Sequence, residues 1–137
     1  MYNVMVVKVY YSPVHREYLL QDALIWLDNH SIPYQLIPYQ EMTMSQLLDI
    51  LKITENGFVD ILNKRANLQK LKQILKGDVE DATTLVLMKT LLNNTHFLID
   101  FILVDGSHFQ TKFKEDEMGK FIPKDVRRIQ QQILIYR

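Results

Sequence analysis

The stretch Val4-Met5-Val6-Val7-Lys8-Val9-Tyr10-Tyr11-Ser12-Pro13 decides how the rest of the chain is read. Apolar β-branched and aromatic residues dominate its first eight positions, which marks a short buried strand. Ser12-Pro13 then breaks the pattern. Leu19, Leu20, Ala23, Leu24 and Leu27 recur at helical spacing, so a helix follows the break. Ser31-Ile32-Pro33 ends that helix, and Tyr34-Gln35-Leu36-Ile37 resumes an extended pattern. The opening therefore reads as strand, sharp corner, helix and second strand.

A βαβ unit with a tight corner ahead of its helix is the opening of a thioredoxin-like fold. Such proteins place a Cys-x-x-Cys pair at the corner, where the helix N-terminus lowers a thiol pKa. Here the corner reads Ser12-Pro13-Val14-His15-Arg16-Glu17-Tyr18, and the whole chain contains no cysteine. Disulfides, thiolate nucleophiles and thiolate metal sites are excluded by inventory. Ser12, Pro13, His15 and Tyr18 thus outline a redox corner emptied of its chemistry.

Downstream, Thr43 with Gln46 three residues later forms a capping-box pattern and predicts a helix over roughly 44–53. Thr54-Glu55-Asn56-Gly57 breaks it, and Gly57 suits a positive φ. From the residues alone Gly57 reads as a helix C-cap. Two short helices are expected around 58–63 and 66–76, ending near Gly77. Asp78-Val79-Glu80-Asp81 supplies carboxylates where a helix macrodipole favours them, with Leu85, Met88, Leu91 and Leu92 as the apolar face.

Residues 97–104 read as a strand, irregular at its start. Asp105-Gly106 signals a hairpin, with residues 108–113 returning. Pro123 fits the first turn of a last helix whose Val126, Ile129 and Ile133 face inward. The order is β-α-β, a helical block, then α-β-β-α. This is an α/β chain of one domain, residues 1–137, with a thioredoxin-like core over about 1–40 and 95–137 and a helical insertion over about 41–94.

Composition sets the function classes. At 137 residues the chain is long enough to bury roughly two-thirds of its unfolded surface. Sixteen basic and sixteen acidic residues cancel, so no global charge draws nucleic acid or membrane, and any electrostatic partner surface is local. The N-terminal apolar run is too short to span a membrane and lacks a basic leader, so a cytoplasmic protein is expected. His30, His96 and His108 lack metal-ligand spacing, and neither metal nor cofactor is expected.

The chain resembles the Spx/MgsR branch of the arsenate reductase (ArsC)-like family along nearly its full length, as a cysteine-free Spx-like protein. Four segments carry the resemblance: Val9-Tyr10-Tyr11-Ser12-Pro13, then Trp26 through Tyr34, then Ile50 through Gly57 with Asn63-Lys64-Arg65, and finally Lys114-Glu115-Asp116-Glu117 with Phe121 through Arg127. The resemblance implies a transcriptional regulator of the stress response that binds the C-terminal domain of the RNA polymerase α subunit. It places Gly57 and Arg65 at that contact, with Asn56 and Lys64 beside them. Asn67 stands where the family often carries a lysine.

The departures fall on redox chemistry. Besides the missing cysteine pair, the segment between Pro13 and Trp26 is about two residues longer than the family's. The family's proline before the third strand aligns near Phe101 and its neighbouring arginine near Asp100. Three parts of one site are replaced together, so no enzyme activity is expected.

Lys64, Arg65, Lys70, Lys72 and Lys76 cluster with no acid between Ile61 and Gly77. As a bland reading they form a solvated helix face. As a functional one they meet an acidic protein surface, or promoter phosphates weakly within a larger complex. The alternatives carried forward are a non-catalytic interaction or adaptor protein on the same scaffold, and a thiol-independent transferase using Ser12. The transferases with an activating serine add a large helical domain that is not expected here.

Overall fold

A central strand pair with buried residues on both faces organises the sheet. In the computed structural model, which describes residues 6–13, 18–64, 68–78 and 82–123, β1 is Val7–Tyr11. It lies between β2 (Tyr34–Pro38), which runs parallel to it, and β3 (Phe101–Asp105), which runs antiparallel. β4 (His108–Gln110) pairs antiparallel with β3, giving the order β2-β1-β3-β4 among the described residues. A mixed sheet with a parallel first pair and antiparallel returns is the α/β, thioredoxin-like architecture expected from the sequence.

Alternate side chains serve two separate cores. Val7 and Val9 of β1 and Phe101 and Leu103 of β3 pack on one face with α1 (Tyr18–Asn29), through Ala23, Trp26 and Leu27. Met118 and Phe121, from the 3-10 segment Glu115–Phe121, close this layer. Tyr10, Ile37 and Ile102 face the other way, against α2 (Met44–Ile53) and α4 (Thr84–Asn93). Each fully buried Leu or Ile in these layers contributes about 1.5–3 kcal/mol relative to exposure.

Local chemistry fixes the helix ends. Thr43 accepts from the Gln46 backbone at 3.1 Å while the Gln46 side chain accepts from the Thr43 backbone at 2.9 Å, so the capping box forms as the sequence predicts. α1 ends with Ser31 in the left-handed region at φ 54° and the Ile32 amide bonding to the Leu27 carbonyl at 2.9 Å. α3 (Leu68–Leu75) ends similarly, but the left-handed residue is Lys76 at φ 57° rather than Gly77.

Several expectations need correction. The helix foreseen at 58–63 is a short 3-10 turn, Gly57–Asp60, because Leu62 leaves the helical path to bridge Leu98. Thr83 caps α4, accepting from the Val86 amide at 3.3 Å, and of the carboxylates expected at its start Glu80 and Asp81 lie outside the described residues. Leu87 replaces Leu85 on the apolar face, and Leu85 is 54% exposed. Leu19 is likewise exposed rather than part of the α1 stripe. The strand expected over 97–104 begins with a 3-10 turn, Thr95–Phe97, and its regular part starts only at Phe101. β4 stops at Gln110, three residues short, where the Gln110 side chain turns back onto the Lys112 carbonyl at 2.7 Å. The last helix and its Val126, Ile129 and Ile133 lie outside the described residues.

Tyr39 joins the two halves of the chain. Its ring is buried beneath the insertion, and its hydroxyl donates to the Ile99 carbonyl, 60 residues away. Burial, with the charge of Asp100 adding to it, pushes this hydroxyl well above its ordinary range, so it stays protonated as a donor. Tyr39→Phe leaves a buried carbonyl without its partner. It should cost about 1–3 kcal/mol, read as a lower urea midpoint at unchanged slope.

Candidate functional site: the Gly57 turn and the emptied corner

Gly57 is where the backbone itself demands a special residue. It takes φ +65° and opens the Gly57–Asp60 turn. It is not a helix C-cap, because α2 has already ended at Ile53 with Thr54 extended. A Cβ built at Gly57 would meet nothing within 4 Å, so the position faces open space. The glycine therefore answers to backbone conformation and to outside approach, not to internal crowding.

The turn is clasped by a carboxylate that sequence reading missed. Asp60 accepts from the Asn56 backbone amide at 2.9 Å and from the Asn56 side chain at 3.4 Å, closing a loop over Gly57. The spacing of an amide side chain and a carboxylate four residues apart was the available signal. Beyond the turn, the Asn63 amide donates to the Phe97 carbonyl and the Ile99 amide to the Ile61 carbonyl, each at 2.8 Å. These bonds make the antiparallel Leu62–Leu98 bridge and bury Ile61 completely. Val59, at the tip, is left 66% exposed.

Asn56, Gly57 and Lys64 thus share one exposed segment between α2 and α3, and Lys64 follows directly after the bridge. Arg65 lies outside the described residues. Of the basic cluster, Lys72 reaches Asp78 at 3.5 Å. Both side chains are well exposed, so the pair adds little stability and leaves the surface charge solvated.

At the corner, the Ser12 amide donates to the Asp100 carbonyl at 3.1 Å, and Tyr11 pairs with Phe101. The structure therefore brings the backbone of the Ser12-Pro13 corner against that of Asp100 and Phe101. His15 lies outside the described residues, as does the side chain of Tyr18. Among the described residues no three His, Asp or Glu side chains gather to hold a metal ion.

The comparisons with known proteins fit this geometry. A scan against protein-family models finds no match. Global transcriptional regulator Spx 1 of Lactococcus lactis is 36% identical over 108 residues, covering 77% of this chain and 82% of that protein. The Staphylococcus aureus global transcriptional regulator Spx is 32% identical over 112 residues, covering 80% of this chain and 83% of the relative. The chain belongs to the Spx family. Its fold is shared with an ArsC-family-related protein of Bacteroides fragilis, at a TM-score of 0.65 and 17% identity over 87% of this chain and 99% of that one. Among the described residues, no helix of this Spx-family chain is long and apolar enough to cross a membrane.

A second polar cluster, also missed from the sequence, sits at the hairpin. Asp105 is 7% exposed, and Nδ1 of His108 donates to its Oδ1 at 2.8 Å. Burial raises the Asp105 carboxyl above its ordinary range, and the His108 contacts offset part of that rise. Gln110, 6% exposed, donates to Glu117 at 2.8 Å and accepts from Lys120, whose Nζ also reaches the Phe109 carbonyl at 2.9 Å.

A carboxyl raised in the folded state contributes stability that is full below its unfolded value, about 3.9, and is lost as pH rises through the folded one. The stability of the native chain relative to Asp105→Asn should therefore fall as pH climbs from about 4 upward. Parallel urea-stability profiles for the two proteins would show that burial of Asp105 is not felt.

Proposed function

We propose that this chain is an Spx-like transcriptional regulator that binds the C-terminal domain of the RNA polymerase α subunit through the Gly57 turn. The observation that carries the reading is Gly57 itself: φ +65°, open space around it, a carboxylate clasp beneath it and an exposed Val59 beside it. A partner backbone can approach closely only where no side chain projects. The names borne by the relatives support the regulatory role, and the family resemblance supplies the α subunit as the partner.

Asn56 and Lys64 flank the contact, with Arg65 as its cationic partner residue. The remaining lysines add weak, salt-sensitive contact to promoter DNA within the complex. With no cysteine anywhere in the chain, no thiol switch operates. Activity is then set by abundance, or by competition with a redox-active paralogue for the same surface. The protein acts in the cytoplasm, where transcription takes place, and is not an enzyme.

Binding of the purified protein to the isolated α C-terminal domain tests the reading. Gly57→Arg should weaken it at least about tenfold, with a folding cost of about 1–2 kcal/mol from the left-handed backbone. Absence of binding by the native protein contradicts the proposal, and equal binding by the variant moves the contact elsewhere. Diamide, a thiol-specific oxidant, should leave the native affinity unchanged when the partner domain carries no reactive thiol.

A further inference from the structure

A cleft of about 410 Å³ lies between the Gly57 turn and the β3–β4 hairpin. Ile53, Glu55 and Asp60 line it from the end of α2 and the turn, and His108, Phe109 and Lys120 line it from the hairpin and the 3-10 segment that follows. Its size is that of a small-molecule site.

The hairpin side of the cleft is built from behind. Asp105 and Gln110 are both more than nine-tenths buried, and each accepts a hydrogen bond from a residue of the cleft: Asp105 from His108, Gln110 from Lys120. Buried polar groups cost stability unless satisfied, so two of them behind one side hold its donors in fixed positions. With Nδ1 of His108 engaged by Asp105, Nε2 is the ring nitrogen left for a ligand. Lys120 has two of its three donors committed, to Phe109 and Gln110, which leaves one.

We propose that this cleft binds a short zwitterionic peptide of two or three residues. Its carboxylate meets Lys120, its ammonium group meets Glu55 and Asp60, Nε2 of His108 accepts from a peptide N–H, and its side chains lie on Ile53 and Phe109. The hydroxyls of Ser107 and Thr111, also at the cleft, serve the peptide bonds. Nucleotides and other polyanions are disfavoured because the carboxylates of Glu55 and Asp60 both line the cleft.

The site touches the Gly57 turn through one residue. Asp60 lines the cleft and also holds the Asn56 amide, so an ammonium group that engages Asp60 competes with the clasp. The peptide thus shifts the conformation of the turn. That this modulates the polymerase contact rests on the proposed function, whereas the binding itself does not.

The test is a titration of the full-length, ¹⁵N-labelled protein at neutral pH with Ala-Ala-Ala, its N-acetylated form, its C-amidated form and free alanine, followed by amide chemical shifts. Ala-Ala-Ala should give saturable shifts at Glu55, Asp60, His108 and Lys120, with Asn56 and Gly57 moving in the same transition. Each blocked peptide, and free alanine, should bind at least about tenfold more weakly, as expected when one charged contact is lost.

Glu55→Gln lies on the side away from the buried network and should weaken Ala-Ala-Ala without unfolding the protein. No saturable shift up to about 10 mM overturns the proposal. So do equal binding of the blocked peptides or free alanine, shifts centred elsewhere, an unmoved Gly57, or an indifferent Glu55→Gln. No polymerase is present in this experiment, so its failure leaves the α-subunit reading standing.

Discussion

Two backbone hydrogen bonds fasten the insertion to the core: Asn63 to Phe97 and Ile99 to Ile61, both 2.8 Å. Residues 61–63 and 97–99 belong to segments far apart in the chain, so the bridge closes a long loop and is formed against a loop-closure entropy that only buried contacts can offset. Ile61 and Phe97 supply those contacts inside the larger core, and Tyr39 adds its bond to the Ile99 carbonyl from the opposite side. The Gly57 turn is presented at a fixed place because its C-terminal end is anchored here. Without the bridge, the Asp60–Asn56 clasp would be a local turn on a wandering loop.

The same segment links the two features that define the molecule. Residues 97–99 run into Asp100 and Phe101, which lie against the Ser12-Pro13 corner. That corner holds Ser12 and Pro13, with the Ser12 amide bonded to the Asp100 carbonyl. The scaffold retains the corner because β1 pairs with β3 there and the sheet needs the register. Across the bridge from this corner lies the Gly57 turn.

Legibility in the sequence followed the range of the interaction. The βαβ opening, the Thr43–Gln46 capping box and the Asp105-Gly106 hairpin were readable because each is decided by neighbours within a few residues. Gly57's positive φ was readable for the same reason, but its role was not. Separating a C-cap from a free turn requires knowing that α2 has already ended at Ile53 with Thr54 extended. The cap of α4 was missed because acidic residues suit a helix N-terminus generally, whereas the Thr83 hydroxyl closes this one. Asp105 is legible only as a turn residue, and Asp60, Gln110 and Lys120 carry no local signal, since nothing nearby in sequence shows which polar groups will be buried or paired.

The central claim is that function resides at the Gly57 turn and not at the corner that gives the fold its character. Hydrogen–deuterium exchange of the full chain, with and without the α C-terminal domain, tests it most directly. Slowed exchange across residues 55–65, with Ser12 and the start of α1 unchanged, is the predicted result. Protection centred on the Ser12-Pro13 corner, or no protection anywhere at saturating partner, would contradict it.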